Sequence, residues 1–404
     1  MEHILTLAAL WVGLALIATI LSGWLRMATA LTEILVGVFA QFIIVTGWHA
    51  HFMDTQAVWI QFLAGAGAVL LTFLAGAELD PQVFKLKWKE AGLVGAASFL
   101  MPFLGCAALA YFGLHWSSSA SWLTGIALST TSVAVVYAIM LESGLNLTHY
   151  GKTLLAACFI TDLGTVLALG FMFAPFTLKT LIFFGITILA CVFLPRVTRY
   201  IHRRYENHSS ELESKFLLFI LFGLGALAAW AGSEAVLPAY IVGMTLANTV
   251  GKNHLLVRRL RTLTLGFLTP FYFIRAGALV SLPALIATPL IFLFLFLGKI
   301  ITKVIGIYPI TVLLHAPRKE AMYTTLLMST GLTFGTIASL FGLSHGVINN
   351  HQYSHLIAVV IGSAFIPTII ANLFFFPRHH LQTQREKAVT PTQASDINSQ
   401  DVQR

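Results

Sequence analysis

Apolar runs about as long as a bilayer is thick follow one another along almost the whole chain. Nothing else in the sequence constrains its fold as much. They occupy approximately residues 4–22, 31–47, 57–77, 91–113, 120–141, 152–173, 179–200, 215–232, 234–250, 264–282, 285–308, 319–342 and 354–376. A transmembrane helix needs about 20 such residues. Backbone groups in lipid have no water to bond, so spans of this kind must be helices that satisfy their own N–H and C=O groups. The expected fold class is an all-α integral membrane protein of about thirteen transmembrane helices, filling residues 1–376. The stretch 377–404, rich in Gln, Ser and Thr and without an apolar pattern, is expected to be a disordered cytoplasmic tail. The first apolar run lacks a basic leader and a distinct small-residue cleavage site, so it reads as the first span.

With 57% hydrophobic and 10% charged residues, a soluble domain is excluded. The net charge of +8 would suit nucleic acid, but the charges sit in short loops between apolar runs. No nucleic-acid partner is expected; the partner of this surface is the lipid bilayer. Arg26, Lys85, Lys87, Lys89, Lys152, Lys252, Arg258, Arg259, Arg261, Arg318, Lys319 and Arg378 follow odd-numbered runs, and Arg196, Arg199, Arg203, Arg204 and Lys215 surround the end of the seventh. Among the loops after even-numbered runs only Lys179 is basic. Positive charge marks the cytoplasmic side, which places the N-terminus outside and the C-terminus in the cytoplasm. Cys106, Cys158 and Cys191 lie inside apolar runs and predict buried thiols without a disulfide framework. No Gly-rich phosphate loop follows a strand pattern, and no cofactor is expected.

Two blocks of six spans joined by one linker span would have opposite orientations, the inverted-repeat plan of many secondary transporters. The fifth run of the first block carries Ser129-Thr130-Thr131-Ser132 at its centre. The fifth run of the second carries Ser329-Thr330-Gly331 and Thr333. Small polar residues and glycine at bilayer depth predict interrupted helices that cross there. Their freed carbonyls and hydroxyls can hold a cation. Ordinary packing through small residues explains one such run easily and the matched placement of two less well.

Asp162 lies near the middle of the sixth run, where a charge costs about 3 kcal/mol or more, so it marks a functional site. A structural role as a cap or an ion-pair member is the alternative. Glu78 ends the third run and reads equally as a residue reaching the cytoplasmic interface. Lys299 and Lys303, four apart in the eleventh run, share a helix face and can neutralise a buried carboxylate or the interrupted helices, or extend toward the cytoplasm. Arg275, near the middle of the tenth run, stays charged and must find a partner: Asp162, Glu78 or helix carbonyls. His49, His51, His345, His351 and His355 fall in or beside outer loops. They read as solvated histidines, with pH sensing as the sharper alternative.

These residues, in this order, resemble the monovalent cation:proton antiporter family of bacteria, which includes sodium/proton exchangers and Kef-type potassium efflux systems. The resemblance covers roughly residues 5 to 376. It rests on Phe73-Leu74-Ala75-Gly76-Ala77-Glu78-Leu79-Asp80, Ser129-Thr130-Thr131-Ser132, Thr161-Asp162, Leu237-Pro238-Ala239-Tyr240-Ile241-Val242-Gly243 and Lys303-Val304-Ile305-Gly306. It implies that Asp162 binds the cation and the proton alternately. The residue before it is Asp in many electrogenic members and is Thr161 here, so the family lysine matched by Lys303 lacks its usual carboxylate partner. Arg275 departs from the apolar or small residue of the family, and gating by a nucleotide-binding domain is not implied.

The reading that follows is a transporter and not an enzyme: an antiporter of the bacterial inner membrane that exchanges Na⁺ or K⁺ for H⁺ and serves pH homeostasis. Asp162, Thr161, Thr130, Thr131, Ser129 and Ser132 form the ion site, with Ser329, Thr330, Gly331 and Thr333 on the second crossing helix. Lys303, Lys299, Arg275 and Glu78 supply supporting charge. A homodimer with a dimerisation part and a mobile core is expected, and exchange through one carboxylate is expected to be electroneutral. The alternatives are a cation channel and an organic-anion/proton symporter that uses Arg275.

Overall fold

The computed structural model describes residues 2–25, 28–48, 53–77, 88–143, 145, 148–173, 177–205, 211–233, 235–251 and 253–377. Every element among the described residues is helical. In chain order they are α1 (Glu2–Leu25), α2 (Thr29–Trp48), α3 (Val58–Ala77), α4 (Trp88–Ala108), α5 (Ser118–Ser129), α6 (Val133–Ser143), α7 (His149–Phe173), α8 (Leu178–Tyr205) and α9 (Glu211–Trp230). Then come α10 (Val236–Leu246), α11 (His254–Leu263), α12 (Thr269–Ala278), α13 (Leu282–Ala287), α14 (Pro289–Leu313), α15 (Arg318–Met328), α16 (Thr333–Ser344) and α17 (Asn350–Ile370). Single π-helical turns extend α4 and α17 and join α11 to α12.

Nine stretches among the described residues are long and apolar enough to cross a membrane. The other expected runs fall on shorter or interrupted helices. α2 and α10 are short apolar helices, the fifth run divides into α5 and α6, and the tenth divides between a π turn and α12. Helix ends depart from the sequence reading by a few residues at several runs, and two places have a clear local cause. The eleventh run begins at Pro289, not residue 285, because Thr288 leaves helical geometry (φ −135°, ψ 61°) and a proline fits the first turn of the helix that follows. The tenth run is preceded by the basic helix α11, whose N-terminus is capped when the Asn253 side chain accepts from the Leu256 N–H. Glu78 and the stretch 378–404 lie outside the described residues.

The helices pack as two sets. One set gathers α1–α3 with α9–α12; the other gathers α4–α7 with α14–α17, and α8 lies against α9 and α10. The main contact across the sets is α10 on α7. The pairing has twofold character. α2 packs on α12 as α10 packs on α3, α4 packs on α7 as α14 packs on α17, and α4 packs on α14 itself. A two-block repeat exchanges each of the first two pairings for its partner and maps the third onto itself.

Glycine makes the tightest of these crossings possible. A Cβ on Gly37 or Gly277 would run into the carbonyls of Ile274 and Ile34, and one on Gly76 or Gly243 into those of Tyr240 and Phe73. The chain repeats itself here: Ala75-Gly76-Ala77 against Ala276-Gly277-Ala278, and Val36-Gly37 against Val242-Gly243. The buried thiols agree with the sequence reading at Cys106 and Cys158; Cys191 is half-buried, and all three are free.

Candidate functional site

Two helix breaks meet inside the second set. α5 ends at Ser129, and Thr130 adopts an extended conformation (φ −61°, ψ 151°) before α6 begins at Val133. α15 ends at Met328, and α16 begins at Thr333. The strands of backbone between them touch. The Ser132 N–H donates to the Thr330 carbonyl at 2.9 Å, and the Thr131 hydroxyl donates to the Met328 carbonyl at 2.8 Å. Gly331 is packed so closely that a Cβ there would meet the Lys299 ammonium and the Thr130 hydroxyl. The crossing of interrupted helices expected from the sequence is therefore present.

Most hydroxyls at the breaks are already committed as donors. Ser129 donates to Ile126, Thr130 to Ala127, Ser329 to Thr325 and Thr330 to Leu327, each to its own helix. Ser132 accepts from the Val135 N–H at the start of α6. A committed donor still has oxygen lone pairs, so these groups can act as acceptors toward a cation but not as further donors. Thr333 is half-buried at the first position of α16.

Asp162 lies in the middle of α7 and is 2% exposed. Its Oδ1 is buried and has no hydrogen-bond partner among the described residues. A carboxylate oxygen in that condition is costly unless a proton or a cation supplies the missing partner. One helical turn before it, Cys158 Sγ lies 3.5 Å from Met328 Sδ, so this face of α7 abuts the end of α15. Thr161 faces elsewhere: its hydroxyl donates to Ala157 at 3.0 Å and approaches the Gly95 carbonyl of α4 at 3.4 Å.

The two lysines are fully buried and do not extend toward the cytoplasm. Lys303 donates to Ser98 Oγ (2.8 Å), the Ser129 carbonyl (2.7 Å) and Thr131 Oγ1 (3.1 Å). An ammonium has three protons, so all are placed. Lys303 sits within electrostatic reach of Asp162 but does not spend a hydrogen bond on it. It neutralises instead the carbonyl end of α5, where the helix dipole is negative. Lys299 donates to Ser363 Oγ at 2.9 Å and rests on Gly331. Each break thus has its own lysine.

Arg275 is not part of this junction. It lies near the end of α12, and its Nε donates at 2.8 Å to the carbonyl of Thr55, which lies in the turn before α3 and not in a helix as expected. His355 is fully buried, contrary to its reading as a solvated loop residue: it lies within α17, which begins at Asn350, and its ring packs against Thr288. His351 is exposed, and His49 and His51 lie outside the described residues.

Two residues of interest escaped the sequence reading, and a third, Tyr240, entered it only within a motif and without a role. Ser98 of α4 is fully buried and joins Lys303 to Thr131, yet one serine in an apolar run carries no signal. Tyr240 of α10 is fully buried and donates to the Phe159 carbonyl of α7 at 3.0 Å, one turn before Asp162, across the two sets. Glu33 of α2 is 2% exposed, and its charge within an apolar run was a visible signal.

Comparison with known proteins gives a consistent result. The family described as "Sodium/hydrogen exchanger, transmembrane" matches residues 12–376. The "Probable Na(+)/H(+) antiporter 3" of Methanocaldococcus jannaschii is 25% identical over 332 residues, covering 78% of this chain and 84% of that protein. The "Glutathione-regulated potassium-efflux system protein KefC" of Shigella flexneri is 26% identical over 407 residues, covering 95% of this chain and 63% of that protein. The chain therefore spans less than two thirds of the KefC length. In fold it is similar to the sodium proton antiporter MjNhaP1 of Methanocaldococcus jannaschii, with a TM-score of 0.66 at 17% identity over 92% of this chain and 96% of that one.

Proposed function

Because the chain belongs to the sodium/hydrogen exchanger family, we propose that it exchanges Na⁺ or K⁺ for H⁺ across the bacterial inner membrane, with Asp162 holding the two substrates in turn. One observation carries the assignment: a buried carboxylate oxygen without a hydrogen-bond partner among the described residues, on the helix that abuts two crossed helix breaks. The carboxylate can take a proton or a cation but not both, and that exclusion couples the two fluxes. A dehydrated monovalent cation needs hard oxygen ligands. Asp162, the lone pairs of Thr130, Thr131, Ser129 and Ser132, and carbonyls freed at the breaks provide that chemistry.

Stoichiometry follows from what surrounds the carboxylate. Thr161 adds no titratable charge, and Lys303 has placed its three protons on the first break. One cation then moves for one proton, and exchange is electroneutral. The natural division of labour has α4–α7 with α14–α17 as a core that moves against α1–α3 with α9–α12. The latter is the part for homodimer contact, and thirteen crossings leave the C-terminus in the cytoplasm. Symport of an organic anion through Arg275 gains no support, since Arg275 stands apart from the crossed breaks, its Nε on the Thr55 carbonyl.

Fluorescence dequenching in everted vesicles with Li⁺, Na⁺, K⁺ and Rb⁺ tests the proposal. Saturable dissipation of the proton gradient by at least one cation is expected. Current without a counter-ion would mark a channel, and gradient loss only with an organic solute would mark a symporter.

A further inference from the structure

Two histidines and a threonine meet away from the crossed breaks. Thr288 is the single residue between α13 and α14. Its hydroxyl lies 3.2 Å from His351 Nε2 and 2.9 Å from His355 Nε2. The two histidines are four residues apart on α17, and their rings meet edge to face with centroids 4.7 Å apart. The Thr288 hydroxyl places its single proton on the Ala284 carbonyl at 3.1 Å, so both imidazoles meet its oxygen as Nε2–H donors, and a metal would take the place of those two protons. Two imidazole nitrogens and an oxygen therefore converge on one small region, with the histidines at the spacing that lets one helix face hold a metal.

We propose that His351, His355 and Thr288 bind a divalent first-row transition-metal ion of the Zn²⁺ or Cu²⁺ class, through the two Nε2 atoms and the hydroxyl oxygen. Imidazole suits these metals, at nitrogen–metal distances of about 2.0–2.1 Å. The Nε2–Oγ1 separations of 3.2 and 2.9 Å are close to the roughly 3 Å between neighbouring ligands around such an ion. His351 is exposed and provides the way in, while His355 is fully buried and fixes one ligand in place. Ser354 reinforces the frame, its hydroxyl accepting from the Ser281 N–H at the start of α13. Among the described residues no third His, Cys, Asp or Glu joins the group. His355 Nδ1 also has no hydrogen-bond acceptor among the described residues, where a metal-bound imidazole usually has one to orient it. Both facts make it an open site, unlike a closed structural zinc centre. The metal would tie α17 to the start of α14, the same two helices that the Lys299–Ser363 bond joins deeper in the protein.

The test is titration of the tag-free, full-length protein in detergent with ZnCl₂ by calorimetry, and with Cu²⁺ followed by electron paramagnetic resonance. One Zn²⁺ per chain is expected. His351→Gln and His355→Gln should each weaken it by about 10-fold or more, the least that lost supporting contacts cost such sites. His115→Gln and His345→Gln should leave it unchanged. The Cu²⁺ spectrum should show coupling to two imidazole nitrogens, reduced to one in either site variant. Since His351 is exposed, its substitution tests the site even if the buried His355 variant does not fold. Absence of stoichiometric binding, or binding indifferent to His351→Gln, would overturn the proposal.

Discussion

The two helix breaks are alike in sequence and unlike in how they are held. At the first, Lys303 places three protons on Ser98, the Ser129 carbonyl and Thr131, so the chain between α5 and α6 is pinned to α4 and α14. At the second, Lys299 bonds Ser363 and leans on Gly331, with two of its protons unassigned among the described residues. A buried ammonium with every proton satisfied is a structural pin; one with protons to spare can change partners as an ion arrives or leaves. The difference assigns stability to the first break and adaptability to the second, although both lie within one crossing.

The largest effect should come from removing the pin. Lys303→Gln deletes charge-assisted bonds worth about 1.5–3 kcal/mol each and leaves the α5 carbonyl end bare. A fall of several degrees in the thermal midpoint of the purified protein is expected, and an unshifted midpoint would erase the contrast between the breaks. Lys299→Gln removes one such bond and should cost less, about 1.5–3 kcal/mol, and should show itself more in apparent cation affinity than in stability. Equal losses in both lysine variants would mean that the breaks are held alike. Thr130→Ala removes an oxygen beside Gly331 and should raise the half-saturating cation concentration while leaving the maximal rate nearly unchanged. An unchanged half-saturation value would move the ion ligands elsewhere. Truncation after residue 379 should change exchange least of all, and a folded but inactive truncate would give the tail a role.

Helix class, the approximate spans, both breaks and the buried Asp162 were legible in the sequence because each is written in apolar length or in polar residues out of place. The partners were not. Nothing local says that Lys303 and Ser129, 174 positions apart, share a bond, or that Arg275 finds Thr55 across 220 positions. Pairings of that range are set by how the two sets of helices pack. The glycine crossings are an intermediate case. The repeat of Ala-Gly-Ala at Gly76 and Gly277 is visible in the chain, but its meaning appears only when each glycine is seen against a carbonyl of the opposite block. His355 shows the reverse error, in which nearness to a loop was taken for exposure.

Everything assigned to the junction depends on the carboxylate of α7. Exchange by Asp162→Asn, purified to a single monodisperse species and reconstituted beside the wild type, tests that dependence most directly. The amide keeps the shape of the side chain and removes its capacity to carry a proton or balance a cation. Complete loss of cation-driven proton movement, with a thermal midpoint at or above that of the wild type, is the predicted result. Exchange at a near wild-type rate in a folded Asp162→Asn protein would contradict it.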